Sequence, residues 1–141
     1  MALIIGFGLA LAVALYASAI GLDRERAFYS TVLAVIASTY GLFAVMGGSM
    51  QVLLLECIPI FLFVLLSALG FKGSPWFLVA GLFAHGVFDF FHGHVIENPG
   101  VPVWWPSFCS SYDVTAAAYL AWLIRRRSAP RQPNPVYPLP H

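Results

Sequence analysis

Five long apolar segments, joined by short turns, make up most of this chain of 141 residues. They lie near 2–20, 27–46, 51–69, 75–91 and 108–124, and each is close to the roughly 20 residues that a helix needs to cross a bilayer. Only 9% of the residues are charged, against about 25% in a typical soluble domain. The pattern therefore predicts an all-α, polytopic membrane protein in which residues 1–127 form one bundle of five transmembrane helices.

The basic residues predict how this bundle is oriented. All seven follow the first, third or fifth segment: Arg24, Arg26, Lys72, Arg125, Arg126, Arg127 and Arg131. Because basic residues favour the cytoplasmic side, the N-terminus is predicted outside and the C-terminus in the cytoplasm. The stretch 128–141 contains five prolines and is predicted to be an extended cytoplasmic tail.

Two sequence features bear on the environment of the chain. The formal net charge of +1 argues against a nucleic-acid partner, so membrane lipids are the expected surroundings. A homo-oligomer is compatible with the sequence. The run Ala17-Ser18-Ala19 is similar to a signal-peptide cleavage site, but Met1 is followed by no basic residue and the apolar run is long. These features favour an uncleaved first helix.

Three ionisable residues share one face of the fourth segment. His85, Asp89 and His92 follow an i, i+4, i+7 spacing, which on a helix confines them to a stripe roughly 60° wide. An ionisable side chain in hydrocarbon is costly unless it is paired, neutralised or bound to a metal. The alternative for one such histidine is a packed side chain bonded to a neighbouring helix. Three aligned residues favour a functional site.

Two further acidic residues are predicted to lie at the same depth. With the orientation above, Glu56 in the third segment and Asp113 in the fifth fall in the outer half of the bilayer, where the sequence places no Lys or Arg. Buried carboxylates without a basic partner must protonate, pair with a histidine or bind a cation. The alternative is that they only form hydrogen bonds between helices.

This pattern predicts a divalent metal site. Zinc or iron fits histidine nitrogen and carboxylate oxygen, with zinc the first choice, whereas a set of mostly oxygen donors would favour calcium or manganese. The predicted metal ligands are His85, Asp89, His92 and His94, and the predicted catalytic residues are Asp113 and Glu56. His94 is expected in an outer loop, 93–107, which is either a re-entrant lid or a short interfacial connection.

The last two segments resemble known membrane proteins. The run His85-x3-Asp89-x2-His92, followed by Trp104-Trp105 and Phe108-Cys109-x2-Tyr112-Asp113, is similar to small polytopic bacterial membrane proteins. This resemblance implies a bacterial inner membrane and joint action of these residues, but it assigns no activity. His and Asp on membrane helices also resemble the arrangement in ceramidase-like membrane hydrolases, which have seven spans and zinc bound by histidines.

The leading functional hypothesis is a metal-dependent enzyme, hydrolase-like, that acts on a lipophilic substrate. Oxidation at a non-haem iron site is a variant of it. One alternative is a pathway for protons or metal cations, which needs polar residues continuing to the cytoplasmic side. Another is a small non-catalytic subunit whose polar residues only lock helices together.

Overall fold

The computed structural model of this chain describes residues 1–128, and in that range the chain forms five α-helices. They are α1 (Ala2–Ile20), α2 (Arg26–Met46), α3 (Met50–Lys72), α4 (Trp76–Val95) and α5 (Trp105–Ser128), with a 3-10 turn at Leu22–Arg24. The predicted all-α fold is confirmed. Apart from Ser128, which ends α5, the predicted tail lies outside the described residues.

Among the described helices, four are long and apolar enough to cross a membrane: α1, α2, α3 and α4. The fifth predicted span, α5, is not one of these four. Its 24 residues are about 36 Å long, which is sufficient to cross a bilayer, but Ser110, Ser111, Asp113 and Thr115 make it more polar. Five spans and the orientation of the termini therefore remain predictions.

The chain reverses direction at each connection, which separates two chemically different ends of the bundle. The end where α1, α3 and α5 finish carries all five arginines of the described residues; we call it the basic end. There the Arg26 side chain at the start of α2 donates to the carbonyl of Gly73 after α3, at 3.1 Å. We call the opposite end the site end. Helix α5 packs between α1 and α4, while α3 packs against both α2 and α4.

An apolar core separates the two ends. Leu33 of α2, Leu82 of α4 and Leu120 of α5 are buried together in it, and Phe63 of α3 lies against them. In a bilayer, such contacts stabilise the bundle through van der Waals packing of the side chains rather than through the hydrophobic effect. Polar groups at one end are therefore divided from those at the other by a layer of hydrocarbon side chains.

Small residues allow α1 to pack closely on α5. Gly6, Ala10, Ala14 and Ala17 form the buried stripe of α1. A β-carbon at position 6 would meet the carbonyl oxygen of Phe108 and the hydroxyl of Ser111. Such small-residue contacts let two helix backbones approach.

Replacing Gly6 with alanine should destabilise the protein by about 1–3 kcal/mol, because the new methyl group meets backbone that must move. Gly8 is the matched control, since it is exposed and a β-carbon there meets nothing within 4 Å. Gly8→Ala should be neutral or stabilise by up to about 1 kcal/mol through helix propensity. Denaturant unfolding in detergent would measure both free energies, and equal effects would contradict this packing.

Candidate metal centre

A histidine and two aspartates meet in the interior at the site end. Helix α4 places His85 and Asp89 one turn apart on its buried face, and α5 brings Asp113 against them. Nδ1 of His85 lies 2.7 Å from Oδ2 of Asp113 and 3.3 Å from Oδ2 of Asp89. One ligand atom from each side chain lies within 4.8 Å of the others, so the three could hold a metal ion. We call this group the histidine–aspartate centre.

Gly86 explains how α5 comes close enough to contribute to the histidine–aspartate centre. A β-carbon at position 86 would lie 3.0 Å from the carbonyl oxygen of Ser110 and 3.3 Å from the β-carbon of Asp113. Both distances are shorter than ordinary van der Waals contact. The missing side chain therefore sets the spacing between α4 and α5 that brings Asp113 to His85.

Tyr40 connects α2 to the same centre. Its hydroxyl donates to Oδ1 of Asp89 at 2.6 Å, and only 1% of the residue is exposed. A buried tyrosine needs a partner for its hydroxyl group, and a carboxylate is a strong acceptor. Sequence pattern does not identify this contact, because Tyr40 and Asp89 are 49 residues apart on different helices.

A second polar group lies beside the first and joins α3 to α4. Oε1 of Glu56 lies 2.9 Å from Nε2 of His92 and accepts a hydrogen bond from the side-chain amide of Asn98 at 2.8 Å. The Asn98 amide also donates to the carbonyl of Tyr40 at 3.1 Å. The Tyr40 ring stacks on His92 with centroids 3.9 Å apart and planes at 15°. Tyr40 thus touches both groups.

Several carboxylate oxygens in these groups have no hydrogen-bond partner among residues 1–128. They are Oε2 of Glu56, Oδ2 of Asp89 and Oδ1 of Asp113, and all three residues are 0% exposed. An unsatisfied buried acceptor costs about 1–3 kcal/mol, and more when it is charged. These oxygens are therefore positions at which a cation or a proton would be stabilised.

The charge balance at the site end also favours a cation. In the described part of the chain, the ion pairs at this end all use a histidine, and the one pair made by an arginine, Arg127–Asp23, is at the basic end. Three ionised carboxylates beside two imidazoles would leave a net negative charge even with both rings protonated. Buried charge of this kind must be neutralised, and a divalent cation would do so.

The six predicted site residues fall into three places. His85, Asp89 and Asp113 form the histidine–aspartate centre, in which Asp113 stands as a ligand candidate rather than a separate base. Glu56 and His92 form the neighbouring pair. His94 is not in a loop as expected, because α4 continues to Val95; it is exposed on the last turn and outside the metal-compatible group.

The connection between α4 and α5 is shorter than the predicted loop and covers part of the site end. It spans 96–104, with Ile96 buried and Val103 98% exposed. A β-carbon at Gly100 would meet the carbonyl oxygen of Phe43, so the connection lies directly on the end of α2. This close approach positions Asn98 to reach Glu56.

Two cavities are lined in part by residues that neighbour the site. An apolar groove of about 720 Å³ runs between α1, α2 and α5, lined by residues such as Val13, Val35 and Phe108. Cys109 also lines this groove and precedes Asp113 by one helical turn. The other cavity, of about 580 Å³, lies beneath the 96–104 connection and is lined in part by His92 and Asn98, the residues around Glu56.

Comparison with known proteins adds no family assignment: no protein-family model, no curated protein and no solved structure matches this chain.

Proposed function

We propose that this chain is an integral membrane, metal-dependent hydrolase that acts on a lipophilic substrate. The observation that carries the proposal is the buried histidine–aspartate centre, in which His85, Asp89 and Asp113 can hold one ion and two carboxylate oxygens have no hydrogen-bond partner among residues 1–128. Burying ionisable side chains among membrane helices costs free energy, and residues that are placed there despite this cost mark a functional site.

Zinc is the metal that we propose for the centre. One histidine and two carboxylates supply the nitrogen and oxygen ligands that zinc accepts, and three protein ligands leave a coordination position open for water. The common non-haem iron site uses two histidines and one carboxylate, which differs from this set. When bound, zinc would lower the pKa of its water to about 7 and so supply a nucleophile at neutral pH.

The neighbouring pair fits a role in proton transfer. Glu56 has one oxygen held by His92 and Asn98 and the other without a partner in residues 1–128. The free oxygen is available to accept a proton from an attacking water, which makes Glu56 the proposed general base. Tyr40 would act as a positioning residue, since its hydroxyl fixes one oxygen of Asp89.

Two routes of access support a lipophilic substrate. In a bilayer, the apolar groove between α1, α2 and α5 would open to the lipid chains, and two of the residues that line it, Cys109 and Tyr112, lie within one turn of Asp113 on α5. The cavity beneath the 96–104 connection, lined by His92 and Asn98, would admit water from the aqueous side. We therefore propose that the substrate enters laterally and that water enters from the end.

The membrane arrangement that we propose follows the distribution of charge. All five helices would cross a bacterial inner membrane, with the site end on the extracytoplasmic side and the basic end and C-terminal tail in the cytoplasm. The polar residues of α5 would be tolerated because Asp113 faces the interior of the bundle, where it is fully buried.

Hydrolysis should be detectable with protein reconstituted, with zinc, into vesicles of bacterial polar lipids. We expect fatty acid or headgroup products to accumulate with the wild type, and Glu56→Gln to slow their release by at least about 100-fold because it removes the proposed base. His94→Ala should retain activity, since His94 is exposed and outside both groups. Mass spectrometry of the lipids measures the products. Equal product from wild type and Glu56→Gln would remove Glu56 from the mechanism, and no product at all would argue against a hydrolase.

The second candidate function is a proton or cation pathway. In its favour, Asp113, His85, Asp89 and Tyr40 form a connected line of buried polar contacts. Against it, Leu33, Leu82, Leu120 and Phe63 lie between this line and the basic end. Ion flux in liposomes that is lost on Asp89→Asn would favour transport over hydrolysis. If neither ion flux nor hydrolysis product is detected, the remaining hypothesis is a non-catalytic membrane subunit.

A further inference from the structure

The basic end contains a polar cavity that is separate from the histidine–aspartate centre. It has a volume of about 760 Å³ and lies where α1 and α5 finish side by side. Ser18 and Asp23 line it from the α1 side, and Tyr119 and Trp122 line it from α5. Leu123 and three arginines complete the lining: Arg24, Arg126 and Arg127.

The carboxylate in this cavity is already satisfied by an internal network. Asp23 accepts from the Ser18 hydroxyl at 2.6 Å and pairs with the Arg127 guanidinium at 3.0 Å. The Ser18 oxygen also lies 2.8 Å from the Tyr119 hydroxyl, which must donate because Ser18 uses its own hydrogen for Asp23. In this network, Arg127 and Asp23 neutralise each other, and the hydrogen bonds hold this part of the cavity wall in place.

The cavity keeps an excess of positive charge after this pairing. Asp23 is the one carboxylate among its described lining residues, so Arg24 and Arg126 are not neutralised within the cavity. The Arg126 guanidinium lies 5.1 Å from the centre of the Trp122 ring, which holds it beside the cavity while leaving its hydrogen-bond donors available. Two arginines at one polar cavity are suited to bidentate binding of a phosphate group.

We propose that this cavity binds the phosphate of an anionic membrane phospholipid. The neighbouring surface indicates a lipid rather than a soluble anion, because large apolar side chains next to the cavity are exposed: Trp122, which lines it, by 48%, and Leu15, one turn before Ser18 on α1, by 60%. Acyl chains would lie along these faces of α1 and α5 while the headgroup contacts Arg24 and Arg126. Basic pockets at the ends of membrane helices recognise anionic lipids by this combination of charge and apolar contact.

Binding can be tested on the full chain in detergent with short-chain phosphatidylglycerol, short-chain phosphatidylcholine and inorganic phosphate as separate probes, using native mass spectrometry. We expect phosphatidylglycerol to bind at least about tenfold more tightly than phosphatidylcholine, because only the first carries net negative charge. The Arg24→Gln/Arg126→Gln variant should weaken phosphatidylglycerol binding by about 30-fold. It should change phosphatidylcholine binding little, because that lipid carries no net charge.

A charge-matched control separates the cavity from the general positive charge of this end. Lys72→Gln/Arg125→Gln also removes two positive charges, but neither residue lines the cavity. This control should keep phosphatidylglycerol binding within about threefold of wild type. Equal binding of the two lipids, or an equal loss in both double variants, would overturn the proposal. Inorganic phosphate binding as tightly as phosphatidylglycerol would also overturn it, by assigning the cavity to a soluble anion.

Discussion

Replacing His85 with alanine should reduce the zinc bound by the purified protein from about one ion per chain to a trace. His85 supplies the nitrogen donor of the histidine–aspartate centre, and two aspartates alone leave too few ligands for a zinc site. His94→Ala is the matched control on the same helix, because His94 is exposed and outside the group. Elemental analysis after dialysis against zinc buffer measures the metal content directly.

Variants of the surrounding residues should give a graded series. Asp113→Asn replaces a charged ligand by a neutral amide and should lower zinc affinity by more than about 100-fold, whereas Tyr40→Phe removes only the bond to Asp89 and should lower it by about 10–100-fold. His92→Leu tests whether the neighbouring pair contributes a ligand. Equal, sub-stoichiometric metal in the wild type and in all variants would contradict the metal centre.

Hydrophobic pattern alone predicts most of the helical architecture of this chain. The first segment coincides with α1, α2 begins one residue before its predicted segment, and α3 exceeds its segment by one residue at the start and three at the end. The largest difference at a helix end that bears on the site is at α4, which continues from Phe91 to Val95. The end of the apolar run marks the end of a span, but polar residues such as His92 and His94 can continue the helix beyond that point. For this reason His94 lies on the last turn of α4 and not in a loop.

The sequence predicts the residues of the candidate site only where they lie on one helix and follow its period. The alignment of His85 and Asp89 follows from the helical period, and the structure places both residues in the histidine–aspartate centre. Tyr40 lies 49 residues from Asp89, and helical period does not tell which face of α2 meets α4. Asn98 lies in the 96–104 connection, where no period exists at all. A tyrosine hydroxyl inside an apolar segment was the available signal, because it requires a partner when buried.

The Glu56–His92 pair should have the largest effect on stability. Replacing His92 with leucine removes the ring that faces Oε1 of Glu56 and leaves that carboxylate fully buried with Asn98 as its remaining partner. Breaking a buried pair from one side costs about 3–5 kcal/mol, because the remaining group stays desolvated without compensation. We expect a loss of this size in the free energy of unfolding for His92→Leu, and a similar loss for Glu56→Leu.

The double variant Glu56→Leu/His92→Leu distinguishes this pairing from simple loss of packing. If each single variant is destabilised because its buried partner is left unpaired, the loss in the free energy of unfolding of the double variant should be smaller than the sum of the two single losses. The expected difference, which is the coupling energy, is about 1–3 kcal/mol. Unfolding in the presence of a chelator excludes any contribution from bound metal. Fully additive losses would contradict the pairing, because they would mean that each side chain acts through its own contacts. Coupling that persists in an Asn98→Ala background would assign the interaction to Glu56 and His92 themselves, since Asn98 donates to the same Oε1 of Glu56 that His92 contacts.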